Sequence, residues 1–340
     1  MASAAARGGT GAELRRVRDV RGLVAKLRDW DGRVRGKAAV ALSGVVREVE
    51  DAATLKGFIP PLLDAALRDT HATVREYAGR ALMNLLQRVD DETALAPAIQ
   101  PLVDTLTPGE VDLKRRGYAA VGLWYVVPKV EGEAALKPAI QPLTAAALND
   151  PDAGVREYAG RPLKDILARI EDQAALTSAI RPLVRALERE EVQVRRYAAI
   201  TLPTAVARTE DAAALKGFIQ PLVAATLGDA NGDVREYAGR ALMNVLKRLD
   251  EEQALNPVVE PLTNALADGQ PKTRRYAAVA LASLVPKIKD EATLRRAIPL
   301  LTVAKSKDPD PKVREYARRA LSNALRRLEE KKPKPRTHTF

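Results

Sequence analysis

The sequence predicts an all-α fold, a right-handed α-solenoid of about eight helical hairpins, and three observations predict it. The phrase VREYAGRAL at 74–82 returns as VREYAGRPL at 155–163, VREYAGRAL at 234–242 and VREYARRAL at 313–321. Between these copies lie RRGYAAVGL (115–123), VRRYAAITL (194–202) and TRRYAAVAL (273–281), with VRGKAAVAL (34–42) ahead of them. Apolar residues make up 46% of the chain but aromatics only 4%, so Ala and Leu carry the apolar mass, which suits close-packed helices over a sandwich or barrel. An arginine marks each unit, at Arg35, Arg75, Arg116, Arg156, Arg195, Arg235, Arg274 and Arg314, in steps of 39 to 41 residues. A period near 40, with a longer rhythm near 80, is the pattern of stacked repeats.

Each unit reads as two helices. The first carries a Pro-Leu pair, as at Pro61-Leu62, Pro101-Leu102, Pro142-Leu143, Pro182-Leu183, Pro221-Leu222, Pro261-Leu262 and Pro299-Leu300. Acidic stretches such as DDETAL (90–95) and DEATL (290–294) supply N-cap oxygens before it, and a proline inside removes one backbone donor and favours a kink. A turn rich in Asp, Gly and Pro follows, as in DPDAG (150–154) and DANGD (229–233). The second helix opens at Val-Arg. Its periodicity places Val74, Ala78, Ala81, Leu82 and Leu85 on one face and Glu76, Arg80 and Met83 on the other. One such hairpin cannot bury its apolar face alone, so the units must stack.

A hairpin of about 40 residues with proline in the first helix, aspartate at the turn and Val-Arg opening the second resembles the HEAT repeat. The resemblance spans residues from about 20 to 330. It implies a hydrogen-bonded ladder between adjacent repeats, made by the marker arginines and by Asp29, Asp69, Asp150, Asp229, Asp268 and Asp308, with Glu110 and Arg189 departing from the pattern. It also implies that the second helices line a concave side. The expected organisation is a disordered start at 1–12, a single solenoid at 13–330 and a disordered basic tail at 331–340.

The 80-residue rhythm shows on the outward stripe of the second helices. One class of unit pairs Glu76 with Arg80, Glu157 with Arg161, Glu236 with Arg240 and Glu315 with Arg319, each an i,i+4 pair. The other class has Val40, Val121, Ile200 and Val279 at the later position. Alternating charged and apolar rungs suit a protein or peptide better than a phosphate backbone. In GYAAVGLWYVV (117–127), Gly117, Val121 and Trp124 fall on that face with Tyr125 at its edge. Trp124 either anchors a partner or folds down into a gap left by small side chains. The expected protein contacts are Arg80, Val121, Trp124, Tyr125, Arg161, Ile200, Arg240 and Val279, and the expected function is a non-catalytic scaffold or adaptor.

Trp30 lies in the first turn, RDWDGRVR (28–35). Turn tryptophans are similar to those of the tubulin-binding TOG arrays, but the other turns here carry no matching set, so Trp30 reads as a cap on the end of the stack.

The net charge of +11 is concentrated at the ends, with +5 in residues 1–50, +7 in 301–340 and −1 between them. That distribution argues against a basic channel along the molecule. It admits an alternative function, DNA or RNA binding through Arg318, Arg319, Arg326, Arg327, Lys331, Lys332, Lys334 and Arg336. Few aromatics are available for base stacking, and a solubilising end cap is the plainer reading. Self-association end to end is a further expectation for a stack whose ends are insufficiently polar.

There are no cysteines and only two histidines, His71 and His338, so neither thiolate ligands nor a Ser-His-Asp arrangement is available. RGGTG (7–11) lacks the Lys-Ser/Thr of a phosphate loop. Bilin lyases and alkyl-base glycosylases are HEAT-like enzymes, but no motif of theirs can be placed here, and neither an enzyme nor a cofactor is expected. No apolar run reaches the roughly 20 residues of a membrane span. The Ala- and Arg-rich opening resembles a transit peptide only in composition. A cytoplasmic location is expected.

Overall fold

The structure, a computed structural model, describes residues 11–107 and 112–330. All its regular elements are helical, with no strand among the described residues. Of the expected disordered start (1–12), residues 1–10 lie outside them while Gly11 and Ala12 open a helix, and the expected tail (331–340) lies outside them. The chain divides into two compact units, Met1–Ile170 and Glu171–Phe340.

The first unit holds four hairpins: α1 (Gly11–Lys26) with α2 (Gly32–Val45), α3 (Ala52–Arg68) with α4 (Ala72–Arg88), α5 (Glu92–Thr105) with α6 (Leu113–Val126), and α7 (Glu133–Leu136) and α8 (Ile140–Asn149) with α9 (Ala153–Arg169). The second holds α10 (Gln173–Ala186) with α11 (Val192–Arg208), α12 (Ala212–Gly228) with α13 (Gly232–Arg248), α14 (Glu252–Asn264) with α15 (Pro271–Leu284), and α16 (Glu291–Lys307) with α17 (Pro311–Glu330). Within each unit the main packing is inside a hairpin or between consecutive hairpins. This neighbour-only packing is that of an α-solenoid.

The helix ends are where their chemistry puts them. Asp51, Asp91, Asp172, Asp211 and Asp290 accept backbone N–H bonds at the starts of α3, α5, α10, α12 and α16. The first helices run on through their prolines, as α3 does through Pro60 and Pro61 and α12 through Pro221. The exception is a tight 3-10 turn at Lys137–Ala139, around Pro138, which separates α7 from α8.

Val74, Ala78, Ala81, Leu82 and Leu85 are all fully buried, as the periodicity predicts, while Arg80 is exposed and Glu76 and Met83 are half-buried. Each Leu so buried contributes roughly 1.5–3 kcal/mol. Small residues let the second helices approach closely. At Gly79 an added Cβ would lie 2.5 Å from the ring of Tyr118 in the next hairpin, and at Gly239 one would lie 2.9 Å from Tyr276. These two glycines are seats for the following tyrosine. The units between them carry alanine at the same place, as at Ala120, Ala199 and Ala278, so the joints alternate in kind. Here the 80-residue rhythm acquires a packing meaning.

Candidate functional site

Two sets of basic side chains hold neighbouring hairpins together. In the first, Arg35 donates to Asp69 of the next hairpin (2.6 Å) and to the Asp29 and Trp30 carbonyls of its own turn (2.9 and 3.1 Å). The same link joins Arg116 to Asp150 (2.8 Å), Arg195 to Asp229 (2.7 Å) and Arg274 to Asp308 (2.7 Å). Burial opposes ionisation of Asp69, but the Arg35 guanidinium and the His71 amide outweigh it and hold the carboxyl below its usual range.

Within the units, two rungs differ from this Arg–Asp link, one where Glu110 was expected to depart from it and one where Asp268 was expected to make it. Glu110 lies outside the described residues, and Arg75 instead bonds Asp112 (2.7 Å), which also caps α6. The expected rung from Arg235 to Asp268 is not made. Arg235 keeps its turn carbonyls, Asp229 (2.6 Å) and Ala230 (3.0 Å), but its buried Nε has no partner. Asp268 follows a tight 3-10 turn, Ala265–Ala267, and accepts instead from the Gln270 amide (2.7 Å).

The second set was missed in the sequence reading. Lys129 Nζ donates to the Leu86, Gln87 and Val89 carbonyls at the end of α4 (3.0, 2.8 and 2.8 Å), and Lys287 does the same for Leu246, Lys247 and Leu249 (2.9, 3.2 and 2.8 Å). Arg88, Arg169 and Arg248 likewise reach carbonyls that close the preceding second helix. Each cation satisfies carbonyls that the helix leaves unpaired, at the negative end of its dipole. A sequence signal exists: Arg88, Lys129, Arg169, Arg208, Arg248, Lys287 and Arg327 each stand thirteen residues after a marker arginine.

With those cations assigned to structure, the outward stripe can be placed. Arg80, Arg161 and Arg240 are exposed and bridge Glu76, Glu157 and Glu236 (2.7, 2.8 and 2.7 Å), whereas Arg319 makes no bridge to Glu315. Glu76 also takes Lys114 (2.7 Å), and this second cation with Arg80 holds its carboxyl below the usual range. Lys272 joins Glu236 in the same way (3.1 Å). Arg80 and Arg240 lie over the rings of Tyr77 and Tyr237, each 5.0 Å from the centroid. Of the apolar positions, Val121, Ile200 and Val279 are half-buried and Val40 is 44% exposed.

Trp124 sits at the seam between α6 and α9, neither sunk in the core nor free. Its ring stacks on Tyr125 (5.0 Å) and lies against Tyr158 (5.5 Å), with the Arg161 guanidinium 5.1 Å from its centroid. Next to this cluster a hollow of about 500 Å3 is lined by Arg80, Lys114, Tyr118, Val121 and Tyr158 among others. Thus Arg80, Val121, Trp124, Tyr125 and Arg161 share one region of the first unit, while Ile200, Arg240 and Val279 belong to the second.

In the last hairpin Arg318, Arg319 and Arg326 are exposed, but Arg327 donates to the Pro286 carbonyl (2.5 Å). Lys331, Lys332, Lys334 and Arg336 lie outside the described residues. Trp30 is 92% exposed, so its ring does not cap the stack; only its carbonyl is engaged, by Arg35. Among the described residues no helix is long and apolar enough to cross a membrane.

Residues 219–322, within the second unit, match the family of HEAT repeats. Over those residues the chain is similar to HEAT repeats, and its fold is that of a helical repeat protein. Two solved structures share the fold. One is described as the crystal structure of an engineered protein, with a TM-score of 0.52 and 20% identity, covering 93% of this chain and 92% of that one. The other comes from a study of a phosphorylation switch controlling the interaction between cadherin and β-catenin, with a TM-score of 0.59 and 18% identity, covering 94% of this chain and 68% of that one. At such identities the likeness shows the fold alone. No curated protein matches this chain.

Proposed function

We propose that the protein is a scaffold that holds another protein against the outward face of its second helices, with the seam around Trp124 as the principal contact. One observation carries the reading: a half-exposed tryptophan is fixed by Tyr125, Tyr158 and Arg161 beside an open hollow. An aromatic already immobilised loses little entropy when a partner covers it, which is what interface anchors require. Support also comes from the packing within each unit, where consecutive second helices such as α2 and α4, or α11 and α13, pack against each other more extensively than the first helices do. The neighbour from the cadherin and β-catenin study is a protein of this fold engaged with another protein.

The test is affinity capture with the intact protein and with Trp124→Ala, followed by mass spectrometry. The reading expects a partner retained by the intact protein and reduced about tenfold or more by the variant at unchanged fold. Capture that is indifferent to Trp124, Val121 and Arg161 would overturn it.

A second reading, nucleic acid on the last hairpin, is favoured by Arg318 and Arg319, which are exposed and without ion pairs among the described residues. It expects binding to a short duplex that collapses as salt rises and that Arg318→Glu with Arg319→Glu abolishes.

A further inference from the structure

The proposed face has a second element that the Trp124 seam does not use, the groove between α2 and α4. At the start of α2 a hollow of about 520 Å3 is lined by Arg33, Gly36, Lys37, Val40 and Ala41 together with His71. At the other end of α2 a hollow of about 370 Å3 is lined by Arg47, Arg80, Met83 and Tyr118 among others. Tyr118, Met83 and Arg80 also line the hollow beside Trp124, so the groove is continuous with that region.

The charge of this groove is unbalanced. Arg33, Lys37 and Arg47 are exposed and form no ion pair among the described residues, and they belong to neither ladder. Other outward cations of the first unit, Arg80, Lys114 and Arg161, are matched by Glu76 or Glu157. Glu76 already serves two cations, and no acidic side chain lines either hollow, the acids of this stretch being Asp31 and Glu48 at its two ends. Between the cations lies Val40, 44% exposed. The three cations span about 20 Å of helix at 1.5 Å per residue, the reach of about six residues of extended peptide.

We propose that the groove between α2 and α4 takes an acidic peptide segment, its carboxylates on Arg33, Lys37 and Arg47 and an aliphatic side chain on Val40. This rests on the reading that the second-helix face holds a protein. A peptide fits better than a nucleic acid because the hollows are partly apolar and Tyr118, its ring packed against Gly79, is the one Phe, Tyr or Trp side chain that lines them.

The experiment is selection of a random dodecapeptide display library on the full chain. Enriched clones are then tested against three variants: Arg33→Glu/Lys37→Glu/Arg47→Glu, Val40→Asp, and Trp124→Ala. The proposal expects enriched clones to be rich in Asp and Glu with interspersed aliphatics, and to lose about tenfold or more in affinity on the triple variant. Val40→Asp should weaken them as well. All three cations are exposed and outside the ladders, so melting should not change; if it does, the Gln versions replace the Glu ones and should give the same loss. Clones that depend on Trp124 but not on α2 would overturn this inference and leave the scaffold reading standing. No enrichment at all would overturn both. Retention of a short duplex at low salt, abolished by the triple variant, would assign the cations to phosphate and overturn the peptide.

Discussion

The ring of Tyr118 occupies the space in which a side chain at Gly79 would begin, with Cε2 only 2.5 Å from where a Cβ would stand. The hydroxyl of the same tyrosine donates to the Glu76 carbonyl one turn away (3.0 Å). Burial pushes the Tyr118 hydroxyl up from its ordinary range, so it stays a donor at any physiological pH.

Gly79→Ala should therefore destabilise the protein by about 1–3 kcal/mol, since a ring and a helix backbone must part to admit one methyl group. Gly57→Ala is the control: that glycine is helical with nothing within 4 Å of its Cβ position, and the substitution should stabilise by about 0.5–1 kcal/mol. Urea unfolding of the two variants checks the opposite signs.

The alternation of hairpins was legible in the sequence as a rhythm, but its cause was not. Gly79 and Tyr118 are 39 residues apart, and only stacking brings them together. The buried face of α4 could be read because a periodicity of 3.6 needs no knowledge of the neighbour. The surroundings of Trp124 could not, because Tyr158 and Arg161 come from the following hairpin. Trp30 failed for a related reason: a turn residue's direction is decided by the turn's own bonds, here Arg35 to the Trp30 carbonyl. The second ladder was legible in principle as a basic residue at a constant offset of thirteen, but a lysine late in a helix looks like any solvated charge until its carbonyl partners are seen.

Lys129→Met keeps much of the side chain's length and removes its charge and donors. Three carbonyls at the end of α4 would lose their ligand, and a loss of about 1–3 kcal/mol is expected in the same unfolding assay. Arg80→Ala, which removes an exposed i,i+4 bridge and a surface cation–π contact with Tyr77, should change stability by about 1 kcal/mol or less.

The pH dependence follows from the rungs. Asp69 and Asp112 have folded-state pKa values below their unfolded ones, through Arg35 and Arg75 and backbone donors acting against burial. Their contribution is thus fully present above the unfolded carboxyl pKa of about 4 and is lost as pH falls through the depressed folded values. The melting temperature should hold down to about pH 4 and then drop. Asp69→Asn should lower the neutral-pH value and flatten the drop.

Arg161→Ala removes the cation over the Trp124 ring. If the cluster is an anchor made rigid before binding, partner capture should weaken several-fold while the melting temperature moves by only a degree or two. Tryptophan fluorescence of the variant should also shift, because the indole loses its cover.

Marker arginines join neighbouring hairpins, which leaves the outward stripe for the partner proposed above. A double-mutant cycle across Arg116 and Asp150, by urea unfolding of the full chain, tests that assignment most directly, since the pair joins two hairpins at 2.8 Å with both side chains largely buried. A coupling energy of about 1–3 kcal/mol is expected. Additive losses, with coupling within about 0.3 kcal/mol of zero, would contradict it.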